Sequence, residues 1–409
     1  MRKIAATLAL TALPFAAPAH ADCGIRGTGD VNVLSNVYPA LQVIKSVIEA
    51  CSTDTLHVTM KLTKANVAEI TQAFAAKTSP FSASQVANGS IVAPAAAGQL
   101  RPLDDLVAKY KDASHIEDQM LIRFGDKIMA VAFQVNAQAM YYRKDLFEKL
   151  GIAVPKTYDE LFAALDKLRA QAGMEHPLTG AYDPGWDLGE EFTNLFLGAG
   201  GEFFKPGTAE PAVASDKGVA TLELMKRLMS YMSPNAFSID SAQASQQMQQ
   251  GTAAVGVIWL DSASTMDDPK VSKVVNEVAF AAAPAITPGG PAASTVWWDG
   301  FVIPKNAPVD ADLAFQVVMK GISPQVVAEN NDVTGWIRSN YKPTRYSDPV
   351  LETVKSGAPP YPSTPQQSLI HGAVGSRIGD YLAGKMSAMD ALKAAEASYR
   401  QAAKDKGLL

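Results

Sequence analysis

The chain has 409 residues, 47% of them hydrophobic, and a formal net charge of −5. That is apolar material for two cores, and an acidic balance that argues against nucleic acid or an anionic membrane as a partner. After the N-terminus no stretch reaches about 18 uninterrupted apolar residues, so no membrane-spanning helix is expected.

Arg2 and Lys3 precede an apolar run, Ile4 to Ala17, and Ala19-His20-Ala21 gives the small-x-small pattern that a signal peptidase cuts. Residues 1–21 read as a cleavable signal peptide, with Asp22 the first mature residue and the periplasm the destination. Removal of Arg2 and Lys3 leaves 34 basic residues against 41 acidic, a formal charge of −7. His20-Ala21-Asp22 before Cys23 lacks the aliphatic residue of a lipobox, so a free rather than a lipid-anchored protein is expected. An oxidising compartment favours pairing the two cysteines, Cys23 and Cys51; two separate buried thiols are the alternative.

Val31 to Leu34 reads as a buried strand. Ser35 and Asn36 are candidate caps for a helix with Pro39 in its first turn, and Leu41, Ile44, Val47, Ile48 and Cys51 mark its inner face. Leu56 to Met60 is a second strand, Thr63 to Ala76 a helix, Gln85 to Val92 a strand broken at Asn88-Gly89-Ser90, and Lys127 to Phe133 another strand. Further on, Ser215 and Asp216 open a helix, Ser245 to Gln250 leads into the buried strand 253–258, and Asp310 to Met319 is a helix after the strand and turn 301–306. Strands alternating with helices imply mostly parallel sheets flanked by helices.

Residues 140–168 carry the densest pattern. An apolar strand (Met140 to Tyr142) runs into a short helix (Asp145 to Leu150), Gly151 stops it, and Pro155 keeps the chain extended. Thr157 and Glu160 form a capping box for a helix whose Leu161, Leu165 and Leu168 share a face. This stretch closely resembles the solute-binding proteins of bacterial ABC importers, in the branch that mostly carries sugars and polyols. Gly98 to Leu106, Gln250 to Gly256, Gly300 to Asn306 and Ser323-Pro324 resemble the same family in order and spacing. Thr252, where members often carry Lys, and Trp259-Leu260-Asp261, where a Gly-rich turn is usual, depart from it.

The resemblance implies a two-lobe α/β fold of the type II periplasmic binding proteins, with each lobe a mostly parallel sheet. It implies about three crossings, placed near Gln134–Asn136, Phe280–Pro284 and Asn331–Gly335. Residues 22–134 with 285–333 would form the N-terminal lobe, and 135–284 with 334–409 the C-terminal lobe. It also implies a small-molecule ligand in the interlobe cleft, an inner-membrane ABC permease as partner, a monomer, and neither cofactor nor metal.

Motifs for catalysis are missing: there is no P-loop, no H-E-x-x-H and no G-x-S-x-G, and His57, His115, His176 and His371 are far apart. The five tryptophans all lie beyond residue 185. Trp186-Asp187, Trp259-Leu260-Asp261 and Trp297-Trp298-Asp299 each set an aromatic beside a carboxylate. A sugar presents C–H faces to the former and hydroxyls to the latter. At least one of Trp297 and Trp298 is expected to face the core. Tyr38, Asn88, Ser90, Gln134 and Asn136 are the first-lobe candidates, and Arg338 would grip an anionic group if the ligand carries one. An exported carbohydrate-active enzyme is the competing class, and a peptide, polyamine or organic acid the competing ligand.

Overall fold

The computed structural model describes residues 23–409. The expected leader, residues 1–21, and Asp22 lie outside the described residues. Among the described residues there are eleven strands: β1 (Gly29–Ser35), β2 (Leu56–Leu62), β3 (Ala83–Ala87), β4 (Leu121–Phe124), β5 (Lys127–Asn136), β6 (Gln138–Arg143), β7 (Leu178–Thr179), β8 (Val255–Trp259), β9 (Val278–Ala282), β10 (Trp297–Val302) and β11 (Gly335–Trp336). They form two sheets. The seven-stranded one runs β11-β5-β10-β3-β1-β2, with β4 also on β5; the four-stranded one runs β7-β8-β6-β9.

Each sheet anchors a lobe. In the first, successive residues of β1 serve opposite faces: Val33 packs with Leu41, Ile44 and Leu313, and Leu34 with Ile70, Phe74 and Val86. β2 buries Leu56, Val58 and Met60 and exposes His57 and Thr59, as an edge strand with one wet face does. In the second, Leu161, Leu165 and Leu168 join Met140, Phe192, Leu222 and Val374 in one cluster. The sheets, expected to be mostly parallel, are mixed. β2 and β3 run parallel to β1, and β7 to β8. β10, β11 and β4 are antiparallel in the first sheet, and β6 is antiparallel to both β8 and β9.

Local signals land where the sequence put them. The capping box of Thr157 and Glu160 forms, and Gly151 ends its helix in the left-handed region at φ 59°. Ser215 caps the helix Asp216–Met229. Ser35 and Asn36 do not cap the first helix: Tyr38 occupies its N-cap and Pro39 its first position. The Cys23–Cys51 disulfide is formed, with the Cα atoms 5.6 Å apart. It ties the segment before β1 to the end of the first helix.

The chain leaves the first sheet at Ala137. It returns later than Phe280–Pro284, because Ala283, Ala292 and Ala293 still pack in the second lobe's core. The last crossing also falls later than Asn331–Gly335. Gly335 and Trp336 pair with β5, and Tyr341 still packs on the first lobe, whereas Tyr346 packs on the second.

Candidate ligand-binding site

A cavity of about 750 Å³ opens between the lobes. It lies beyond the carboxyl ends of β1, β2 and β3, as open α/β sheets arrange it. β1 ends at Ser35, so Asn36 and Tyr38 reach the cleft. β2 is followed by Lys64 and Asn66, and β3 carries Gln85 and ends before Ser90. β5 delivers Asn136 and the antiparallel β10 delivers Trp297 and Asp299. The second lobe contributes Trp186, Asp187, Asp240, Ser241, Trp259, Asp261, Tyr361 and His371.

Of the residues singled out from the sequence, Tyr38, Ser90, Asn136, Trp186, Asp187, Trp259, Asp261, Trp297 and Asp299 converge on this cavity. Four do not line it. Trp298, one step along β10 from Trp297, points to the other face and packs with Leu34, Ile70 and Phe74. Asn88 is buried and donates to the Val296 carbonyl (3.3 Å). Gln134 is fully buried behind the wall, donating to Asp299 (2.7 Å) and accepting from the Thr334 hydroxyl (2.7 Å). Arg338, 5% exposed, is spent on backbone: it donates to the carbonyls of Ile322 (2.6 Å), His115 (2.5 Å) and Ser114 (3.2 Å). A guanidinium so buried and engaged is not presented to the cleft.

The tryptophans meet. Trp186 and Trp259 stack with ring centroids 6.2 Å apart, and Trp297 stands edge-on to both at 5.7 and 5.6 Å. Tyr361 lies 4.1 Å from Trp297 and His371 lies 5.3 Å from Trp186. Buried polar groups hold this cluster from behind. The Trp297 indole N–H is shared between Thr295 Oγ1 (2.8 Å) and Glu190 Oε1 (3.1 Å). His371 donates from Nε2 to the Trp186 carbonyl (2.8 Å), and the Tyr361 hydroxyl donates to its Nδ1 (3.0 Å). These partners fix the neutral tautomer, and burial pushes the His371 pKa down to about 4. Glycines permit the close approach: a Cβ on Gly375 would sit 1.8 Å from the Gly185 carbonyl, and one on Gly189 would sit 2.7 Å from His371.

The carboxylates are held by neutral donors. Asp299 accepts from Gln85 (2.6 Å) and Gln134 (2.7 Å), Asp261 from Asn136 (3.2 Å) and Ser262 (3.0 Å), and Asp187 from Ser241 (2.6 Å). Burial pushes Asp299 up to about 7 against those donors, with the charge of Asp261 adding to the rise. Burial likewise raises Asp261 and Asp187 to about 6. The Tyr38 hydroxyl lies close to Asp299 but makes no well-formed hydrogen bond. Across the mouth, Lys64 of the first lobe meets Asp240 of the second at 2.7 Å.

The model of the bacterial extracellular solute-binding protein family matches residues 63–325. The chain belongs to that family. Among relatives of this solute-binding protein, a probable ABC transporter-binding protein of Deinococcus radiodurans is 27% identical over 201 residues, 46% of this chain and 47% of that one. A probable sugar-binding periplasmic protein of Mesorhizobium japonicum is 28% identical over 135 residues, 31% of this chain and 32% of that one. The chain thus spans less than half the length of these curated relatives. Among solved structures, a solute-binding protein from Agrobacterium radiobacter in complex with ribitol superposes with a TM-score of 0.77 at 22% identity, covering 91% of this chain and 98% of that one. One from Agrobacterium vitis with bound D-mannitol gives 0.78 at 21%, covering 92% and 99%. Both share the two-lobe fold.

Lys64, Asn66, Gln85, Asp240, Tyr361 and His371 line the cleft without having been read as candidates. For Lys64 and Asn66 a signal existed: they follow β2 directly, as Tyr38 follows β1. Gln85 sits inside a strand, and Tyr361 and His371 lie in a C-terminal region whose elements the sequence reading left unassigned.

Proposed function

We propose that this chain is the periplasmic substrate-binding component of an ABC importer, and that it captures a sugar, polyol or sugar derivative between its lobes. It hands the solute unchanged to an inner-membrane permease and acts as a monomer. The observation that carries this reading is the cleft itself: apolar faces of Trp186, Trp259 and Trp297 beside the carboxylates of Asp187, Asp261 and Asp299. Indole faces cover the C–H side of a polyhydroxylated solute while carboxylates accept from its hydroxyls. Bound solute, touching both lobes, stabilises the closed arrangement over an open one.

The test is a thermal-shift titration of the solute-free protein with a panel of sugars and polyols, with chromatography of the same samples. A binder shows a saturable rise in the unfolding midpoint, equivalent to about 2.7 kcal/mol at a hundredfold excess over Kd, and returns the solute intact. Conversion of any glycan to product would replace this reading with that of an exported carbohydrate-active enzyme.

A further inference from the structure

Many donors of the cleft wall are consumed within the wall, the Tyr38 hydroxyl being an exception. The Asn66 amide donates to Gln85, Gln85 and Gln134 to Asp299, and Asn136 to Asp261. Ser241 donates to Asp187, the Trp297 indole to Glu190 and Thr295, and the Tyr361 hydroxyl to His371. Acceptors are left over. Asn66 Oδ1 is buried in that wall without a partner, its orientation set by the two bonds its Nδ2 makes to Gln85.

Charge points the same way. Among the described residues Lys64 is the only lysine or arginine lining the cleft, and it is already paired with Asp240. Asp187, Asp261 and Asp299 have no cation among their hydrogen-bond partners, and Asp261 and Asp299 are close enough to repel each other. Buried carboxylates are ordinarily paired. Four helices begin at the cleft, and their N-termini offer positive ends. Three of these are answered within the chain, by Asp187 in the first turn of Trp186–Gly198, by Glu69 in the first turn of Asn66–Ala75 and by Asp240 at the cap of Ser241–Gln249. The N-terminus of Pro39–Glu49, with no acidic residue in its first turn, remains to meet oxygens of a solute.

We propose that the solute carries a protonated amine as well as hydroxyls, an amino sugar or amino alditol, with its ammonium group placed between Asp261 and Asp299 and beside the tryptophan cluster. This rests on the polyhydroxylated-solute reading above and narrows it. An ammonium group is donor-only, supplies the missing counter-charge, and gains from the aromatic faces.

The experiment is calorimetric titration of the full mature chain with matched pairs: D-glucose and D-glucosamine, D-galactose and D-galactosamine, D-glucitol and 1-amino-1-deoxy-D-glucitol. At least one amine is expected to bind about tenfold or more tighter than its neutral twin. Asp261→Asn and Asp299→Asn should erase that difference while leaving hydroxyl recognition measurable. A neutral twin that binds as tightly as its amine overturns the inference and leaves the polyhydroxylated-solute reading standing. If none of the six binds, mass spectrometry of the solute released from protein purified from its own host decides. A hydroxylated solute with a basic nitrogen supports the inference, one without it overturns the inference alone, and a solute without hydroxyls overturns both readings. The pair comparison uses the unaltered protein, so it stands even if a variant fails to fold.

Discussion

The two sides of the cleft solve the same problem with opposite chemistry. On the first lobe, Asn66, Gln85, Gln134 and Asp299 bond to one another, and each is held on a strand or at the start of a helix. Asn66, Gln85 and Asp299 line the cleft, with Gln134 behind them. On the aromatic side, Trp186, Trp259 and Trp297 pack ring against ring, with the Trp297 N–H and the Trp186 carbonyl sunk into the Glu190, Thr295 and His371 network. One wall is made rigid by hydrogen bonds that close on themselves, the other by packing over a buried polar layer. A polar wall built this way tolerates loss of shape poorly in its charges; an aromatic wall tolerates it poorly in its support.

The largest expected effect breaks that support. Trp297→Ala removes a buried indole and one donor to Glu190, and should cost about 3–5 kcal/mol of stability in urea unfolding together with solute affinity. Arg338→Ala lies outside both walls and is the control. It should cost about 1–3 kcal/mol, because the buried Ile322 carbonyl and the half-buried carbonyls of His115 and Ser114 lose their donor, and leave the Kd of the folded protein unchanged. A selective loss of binding there would overturn the assignment of the walls.

Acidity separates the two networks further. Asp299 is raised to about 7 and Glu190 and Glu191 to about 8, burial being the first cause for each. A raised carboxyl holds a proton that the unfolded chain releases. Its stabilising contribution is therefore full below the ordinary carboxyl range and is lost as pH rises through the folded value. His371 opposes this only between about 4 and 6.5, where the unfolded imidazole takes up a proton that the buried one refuses. The solute-free protein should then lose stability from pH 6.5 to pH 8 and level off beyond; Glu190→Gln should shallow that slope in denaturant midpoints. The smallest effect is on the rim. Trp186 is 49% exposed, so Trp186→Ala should change stability by less than about 1 kcal/mol and weaken solute binding by about tenfold, read by calorimetry.

Much of the fold was legible because its signals are local. A Thr and a Glu three residues apart satisfy each other's backbone wherever that helix sits, and Gly151 ends a helix because it adopts a left-handed backbone without strain. Sheet direction was less legible. Parallel order was inferred from strand and helix alternation, yet β10 returns antiparallel between β3 and β5 after a long excursion through the second lobe. The site was legible in type. Pairing Trp with Asp found three of its carboxylates and three of its rings, since both residue types cost free energy at a strand end unless a partner or ligand covers them.

Sequence by itself determined the α/β class, the helix caps at Thr157 and Ser215, and the expectation that at least one of Trp297 and Trp298 faces the core, because caps and strand periodicity are set by local geometry. Tertiary structure alone decided that Trp297 is the one at the cleft, that Arg338 is tied to the backbone of its own lobe, and that Lys64 meets Asp240 across the mouth. Those outcomes depend on contacts between residues as much as 224 positions apart, and no local pattern encodes which distant surface a side chain will meet.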